Sequence, residues 1–144
     1  MKFSSSQYIP KNPEKYIGTN KIIARSSWET TFMTFLDNSP SIIKWASESI
    51  KIPYKDPFTG KQTVYVPDFL IQYVDKNNKI NTELIEIKPS NQYIMEKVGK
   101  NKTNQMMYIK NQAKFAAAQA YCQKQGIKFR IIDETHMFHN GNKK

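Results

Sequence analysis

The spacing of apolar positions changes period several times along the chain. In SSWETTFMTFLDNSP, Trp28, Phe32, Phe35 and Leu36 recur at helical spacing. Ser26 is placed to cap the start, and Asn38, Ser39 and Pro40 stop the run, so a helix is expected over 26–37. IIKWASESIKIPY alternates as a strand does, with a break expected near Ala46 and Ser47, and DPFTG turns it into the next run. Strands are expected over 42–54, 63–74 and 82–88, the last ended by Pro89. Farther on, Met106, Ile109, Ala113, Ala116, Ala117 and Ala120 fall on one helical stripe, Gly126 supplies the cap, and IKFRIID forms a final strand. The order helix, three strands, helix, strand predicts an α/β fold, with a mixed central sheet flanked by helices in the order αβββαβ. The long helix crosses over to return the last strand to the same sheet. Residues 1–20, with Pro10, Pro13 and Gly18 and no periodicity, read as an extended arm that packs weakly or binds something. Residues 21–135 form the domain, and 136–144 a polar tail.

Composition adds a partner class. With 144 residues, 39% hydrophobic and 12% aromatic, the chain suits one domain able to bury a core. No run approaches the roughly 18 apolar residues of a membrane helix, and MKFSSSQYIPK lacks a signal peptide's apolar stretch, so a soluble, intracellular protein without a membrane partner is expected. Cys122 is the only cysteine, which excludes an intrachain disulfide and a thiolate metal cluster. The net charge of +10, from 22 Lys and Arg against 12 Asp and Glu, is spread along the chain. That balance points to a polyanionic partner, of which nucleic acid is the commonest, while charge alone fits a merely soluble basic protein about as well.

The candidate chemistry lies in YVPDFLIQYVDKNNKINTELIEIK. Side chains alternate on a strand, so Asp68 shares a face with Val64, Val66 and Leu70, and Glu86 with Leu84 and Lys88. If DKNNK sets Val74 opposite Ile80, the antiparallel register sets Asp68 opposite Glu86, with Cβ atoms roughly 5 Å apart. Two carboxylates facing each other among apolar neighbours repel, and a divalent cation removes the conflict. Oxygen ligands without His or Cys suit Mg²⁺, with Mn²⁺ able to substitute. Lys88, about 7 Å beyond Glu86 on the same face, can orient a water and offset charge on a phosphorane. The plainer reading is a surface ion pair.

VPDFL followed by ELIEIKP resembles the PD-(D/E)xK motif of restriction-like nucleases, a superfamily with the same element order. RSSWETTFMTFLDNSPSIIKWASESIKIPY and AKFAAAQAYCQKQGIKFRIIDE resemble the head-completion nucleases of T-even-type tailed phages. Those are similar to the amino-terminal domain of TnsA-type transposon endonucleases, and the likeness runs over about 21–135. It implies a metal-dependent DNA endonuclease with Asp68 and Glu86 as metal ligands, the main-chain carbonyl of Ile87 completing the site, and Lys88 as catalytic lysine. It also implies an acid on the first helix, here Glu29, close to the metal. Ser26 and Glu29 equally spell a capping box, so at this stage Glu29 is either a catalytic acid or a helix cap. Implied partners are DNA and phage head or portal proteins, in the host cytoplasm or the virion. Rival readings are a DNA-end-binding structural head protein with little cleavage, and a transposon-type nuclease within a larger complex.

Lys97, Lys100, Lys102, Lys110 and Lys114 follow the motif and either grip DNA phosphates or form a solvated face. Asn104, Gln105, Asn111 and Gln112 are candidates to line the cleft. His136 and His139 have a metal-binding spacing without an acidic or cysteine partner nearby and read as incidental; Cys122 reads as a core or boundary residue, and Glu48 and Glu83 as surface charges. The chain lacks a Walker loop, a GxGxxG and a nucleophile elbow, so no nucleotide cofactor is expected.

Overall fold

The computed structural model of the chain describes residues 5–137. Its centre is a four-stranded sheet made of β3 (Ile42–Ser47), β6 (Phe69–Val74), β7 (Ile80–Ile87) and β8 (Lys128–Ile132), in the spatial order β3-β6-β7-β8. The first three strands are antiparallel, and β8 joins β7 in parallel. A parallel neighbour needs a long crossover, which α3 (Lys102–Gln125) supplies. With α1 (Ser27–Asn38) ahead of β3, this is the expected αβββαβ core.

Because β7 is buried on both faces, its successive side chains enter two different cores. Ile85 and Ile87 join Phe32, Met33 and Leu36 of α1, Trp45, Phe69, Ile71 and Ile132 on one side of the sheet. Leu84 packs on the other side with Phe115, Ala118 and Cys122 of α3. The buried face of α3 therefore runs through Asn111, Phe115, Ala118 and Cys122. The expected stripe lies off it: Met106 and Ile109 are exposed, because Phe115, not the alanines, is the large residue at the contact. Likewise Phe35 of α1 is half-exposed, and Met33 fills the core position. The cap of α3 is as expected, with Gly126 at φ 71° and the Ile127 amide returning to the Cys122 carbonyl at 3.0 Å.

The break expected near Ala46 and Ser47 falls just after them, and the second long strand is broken as well. Residues 42–54 split into β3 and β4 (Ile52–Lys55), and 63–74 split into β5 (Gln62–Tyr65) and β6. Pro67 cannot donate to a ladder, so the chain leaves one sheet at Tyr65 and enters another at Phe69. β4 and β5 pair only with each other, as a hairpin lying along α3.

The amino-terminal segment is held firmly, not packed weakly. β1 (Ser6–Gln7) pairs with β2 (Ile23–Ala24), and Tyr16 packs on Trp45 at 4.8 Å between ring centroids. Its anchor is Asp37, fully buried in the last turn of α1. The Asp37 carboxylate accepts from the Tyr8 hydroxyl at 2.7 Å and from the Lys11 and Asn12 amides at 2.7 and 2.9 Å. Lys15 Nζ donates to the carbonyls of Asp37 and Ser39 at 3.1 and 2.7 Å, at the negative end of the helix dipole. Among the described residues no helix is long and apolar enough to cross a membrane.

Burial raises the Asp37 carboxyl, but the hydroxyl and amides donated to it outweigh burial and hold it below its ordinary 3.8. The stability it contributes is therefore present above about pH 4 and lost as pH falls through the lowered value. Asp37→Ala strands three donors and should cost about 2–4 kcal/mol in denaturant unfolding. It should also flatten the acid limb of the stability curve.

Candidate active site

Strands β3, β6, β7 and β8 all reach the same edge of the sheet, where Ser47 faces Phe69 and Ile87 faces Ile132. The amino terminus of α1 closes over this edge. A cleft of about 240 Å³ results, lined by Arg25, Ser26, Glu29, Asp68, Glu86, Ile87, Lys88, Pro89, Gln92 and Met107. Glu29, Asp68, Glu86, Ile87 and Lys88 are thus brought together. The register is as read, with Val74 opposite Ile80 and Phe69 opposite Ile85, which carries Asp68 level with Glu86 just beyond the ladder.

Each acid is held separately. Asp68, freed from the ladder by Pro67, accepts the Ile87 amide at 2.8 Å. Its own carbonyl accepts the Glu48 amide at 2.9 Å. Glu86, 5% exposed, accepts the Tyr65 hydroxyl at 2.7 Å on Oε1, while Lys88 Nζ stands 3.4 Å from Oε2. Glu29 Oε1 accepts the Arg25 amide at 3.0 Å, and the Glu29 amide donates to Ser26 Oγ at 3.2 Å. Half of the capping box therefore forms: the Ser cap is made, but the Glu carboxylate serves the residue before the cap and still faces the cleft.

Burial pushes all three carboxyls up, and neighbouring carboxylates add to it for Asp68 and Glu29. Asp68 rises well above its ordinary value through burial and then the charges of Glu86 and Glu29, against the Ile87 amide and Lys88. Glu29 rises through burial and the charges of Glu48 and Glu86, although the Arg25 amide opposes this. Glu86 rises through burial despite Lys88 and Tyr65. Burial is the largest cause for each, and the nearby Lys88 does not offset it for Asp68 or Glu86. Among the described residues no three His, Cys, Asp or Glu side chains converge as a ready metal centre. Asp68 and Glu86 supply two hard carboxylate donors, and a cation there would need main-chain and water oxygens as well.

Several partners escaped sequence reasoning. Tyr65, buried at 3% exposure, ties the β4–β5 hairpin to Glu86, and the Lys114 ammonium lies over its ring at 5.6 Å. Glu48 is not a free surface charge: its φ is 51°, and it takes Arg25 in a fork at 2.6 and 2.9 Å on the cleft rim. Glu83 is buried, bound by Tyr73 and by Arg130 at 2.8 Å. None has a local sequence signal, because each partner is distant in the chain.

The lysines divide. Lys114 is drawn into the site, with burial and the Lys88 charge pushing its ammonium's pKa down. Lys110 pairs with Asp56 at 3.4 Å. Lys97 lies in an adjoining depression with Trp28, Pro89 and Glu134, while Lys100 and Lys102 are exposed at the start of α3. Asn111, Gln112 and Gln105 do not line the cleft; their side-chain amides hold the carbonyls of Gln92, Tyr93 and Gly99, fixing the segment after Pro89. That segment includes α2 (Met95–Val98). His136, in α4 (Glu134–Met137), does have an acid partner, Asp133 at 3.2 Å, which fixes it structurally; His139 lies outside the described residues.

A family model described as TnsA-like endonuclease N terminal matches residues 39–134. The head completion nuclease of enterobacteria phage T4 is 36% identical over 140 residues, which cover 90% of this chain and 91% of that protein.

Removing one charge from the crowded acids should relieve strain. Without divalent ions at neutral pH, Asp68→Asn should be as stable as the unaltered chain or more so, by about 1 kcal/mol in denaturant unfolding. A clear loss would mean that the charge of Asp68, favoured by the Ile87 amide and Lys88, outweighs its repulsion by Glu86 and Glu29.

Proposed function

The chain belongs to the TnsA-like endonuclease family, and from that premise we propose that it is a metal-dependent DNA endonuclease hydrolysing phosphodiester bonds with water. The observation that carries this reading is the meeting of Glu29, Asp68, Glu86 and Lys88 in one cleft, with all three carboxyls raised by burial and two of them, Asp68 and Glu29, also by neighbouring carboxylates. Hard oxygen donors without sulfur or imidazole fit Mg²⁺, or Mn²⁺ in its place. Asp68, Glu86 and the Ile87 carbonyl would hold it. Bound there, a divalent cation supplies Lewis acidity toward the phosphodiester and offsets the carboxylate charge.

The side chains do the rest. Lys88 faces Glu86 and presents a fixed ammonium to the phosphoryl oxygens, favouring the pentavalent transition state over the ground state. Glu29 closes the cleft from the helix side, and its raised pKa suits a group that assists the metal site and accepts a water proton. Tyr65 fixes the Glu86 carboxylate, so the acid need not reorganise when substrate binds. Lys97, Lys100, Lys102, Lys110 and Lys114 would hold the flanking backbone. By likeness to the T4 protein, whose name is head completion nuclease, the proposed setting is completion of a phage head. Head or portal proteins are the proposed partners, in the host cytoplasm or the virion.

The test uses purified protein on supercoiled, linear and single-stranded DNA with Mg²⁺, Mn²⁺, Ca²⁺ or EDTA. Cleavage is expected with Mg²⁺ and Mn²⁺, binding with little turnover in Ca²⁺, and none in EDTA. Asp68→Asn and Glu86→Gln should each lower cleavage by about a thousandfold or more while DNA binding persists. Lys88→Ala should lower the rate with metal affinity nearly unchanged. Tight binding without cutting under every metal would point to a DNA-end-binding structural protein instead.

Glu29 and Ser26 separate catalysis from capping. Glu29→Gln can still accept the Arg25 amide, so stability should change by a few tenths of a kcal/mol, roughly, while activity falls by orders of magnitude. Ser26→Ala should lose about 1 kcal/mol of stability and keep most of its turnover at low temperature. Normal cutting by Glu29→Gln would leave Glu29 a capping residue only.

A further inference from the structure

The β4–β5 hairpin presents to solvent what its fold does not require. Its inner face, Ile52, Tyr54 and Tyr65, is buried against Phe115, Ala118 and Cys122. Its tip is rigid: Asp56 Oδ1 accepts the amides of Phe58 and Thr59 at 2.8 and 3.3 Å. The Gly60 amide returns to the Asp56 carbonyl at 2.8 Å, with Gly60 at φ 73°. Asp56 Oδ2 is held by Lys110 on α3 at 3.4 Å, so the tip is pinned to the helix as well. This scaffold uses the Phe58 backbone and leaves its ring 48% exposed. Val64 and Val66 are exposed along the same arm, and Lys51, Lys55 and Lys61 surround it. Its sole acid, Asp56, is engaged within the turn and by Lys110.

The arm is also tied to the helix that reaches the cleft. Along α3, Lys114 lies beside Tyr65 and Glu86, Lys110 one turn earlier grips the tip, and Met107 a turn before that lines the cleft. From Tyr65 the tip is about 10–15 Å away along β5, or about two to four nucleotide steps of a strand bound at the site, fewer when the strand is extended. In an intact duplex the base faces are covered by their neighbours, and a ring at that distance has nothing to stack on. Where bases are unpaired, an aromatic ring flanked by cations is a stacking platform.

We propose that the hairpin is a substrate-selecting arm, on which Phe58 stacks against an unpaired base about two to four nucleotides from the scissile phosphate while Lys55 and Lys61 hold the adjoining phosphates. The substrate class is DNA with a single-stranded flap, gap or frayed end near the cut. This assignment rests on the endonuclease reading above.

Binding is measured by anisotropy on a uniform duplex, a flapped duplex and a single strand, in the Asp68→Asn background so that nothing is cut. Phe58→Ala should weaken flap and single-strand binding by about tenfold and duplex binding by less than about twofold. Phe58→Trp should restore affinity, with its fluorescence quenched by flap DNA and not by duplex. Lys55→Ala with Lys61→Ala should lower the salt slope by about two on the flap. The side chains are exposed, so thermal midpoints should not move. Equal affinity of Phe58→Ala and parent for every DNA would overturn the proposal, as would equal losses on flap and duplex, or loss of binding only to a head protein. Failure of the unaltered chain to cut any DNA in Mg²⁺ would instead overturn the endonuclease reading, and the binding arms would still decide the hairpin.

Discussion

A strand buried on both faces admits a charge only where partners are waiting, and β7 is such a strand. Ile85 and Ile87 fill one core and Leu84 the other, so the strand cannot rotate or slip without exposing one set and burying a polar residue in its place. That locks Glu86 at 5% exposure. The carboxylate is tolerable because Tyr65 and Lys88 meet it and the strands end just beyond. Apolar packing thus places charged groups where their own interactions would not hold them, and the helix and hairpin on either side are arranged around that fixed point.

Pro67 has the complementary role. By ending the ladder it turns Asp68 out of regular pairing and toward the Ile87 amide, and it frees the preceding residues to build a separate hairpin. One residue thereby creates both the seat of one acid and the arm that supplies Tyr65 to the other. The rim follows a similar logic. Glu48 takes a left-handed conformation at the end of β3, where its amide reaches the Asp68 carbonyl and its carboxylate reaches Arg25.

What could be read from the sequence was what depends on near neighbours. The DKNNK turn gave the Val74–Ile80 register, and with it the alignment of Asp68 and Glu86. Ser26 and Gly126 marked helix ends through local hydrogen bonds. The family likeness, more than periodicity, supplied Glu29. What could not be read depends on partners far along the chain: Asp37 with residues 8–12, Glu83 with Arg130, Tyr65 with Glu86. The stripe on α3 was misjudged because counting alanines weighs number over size, whereas the contact is set by Phe115. Residues 63–74 look like one strand since alternation continues through the break, which only Pro67 announces, whereas the break within 42–54 was legible to within a few residues.

Tyr65 has a consequence for how such a protein can diversify. Its hydroxyl is the hairpin's hydrogen bond to Glu86 of the candidate site, and it sits at the base of the arm. The stretch 56–61 beyond it touches the rest of the molecule through Asp56 and Lys110. Tip and base are therefore mechanically separable: the length or aromatic content of 56–61 can change while the Tyr65–Glu86 hydrogen bond below stays in place.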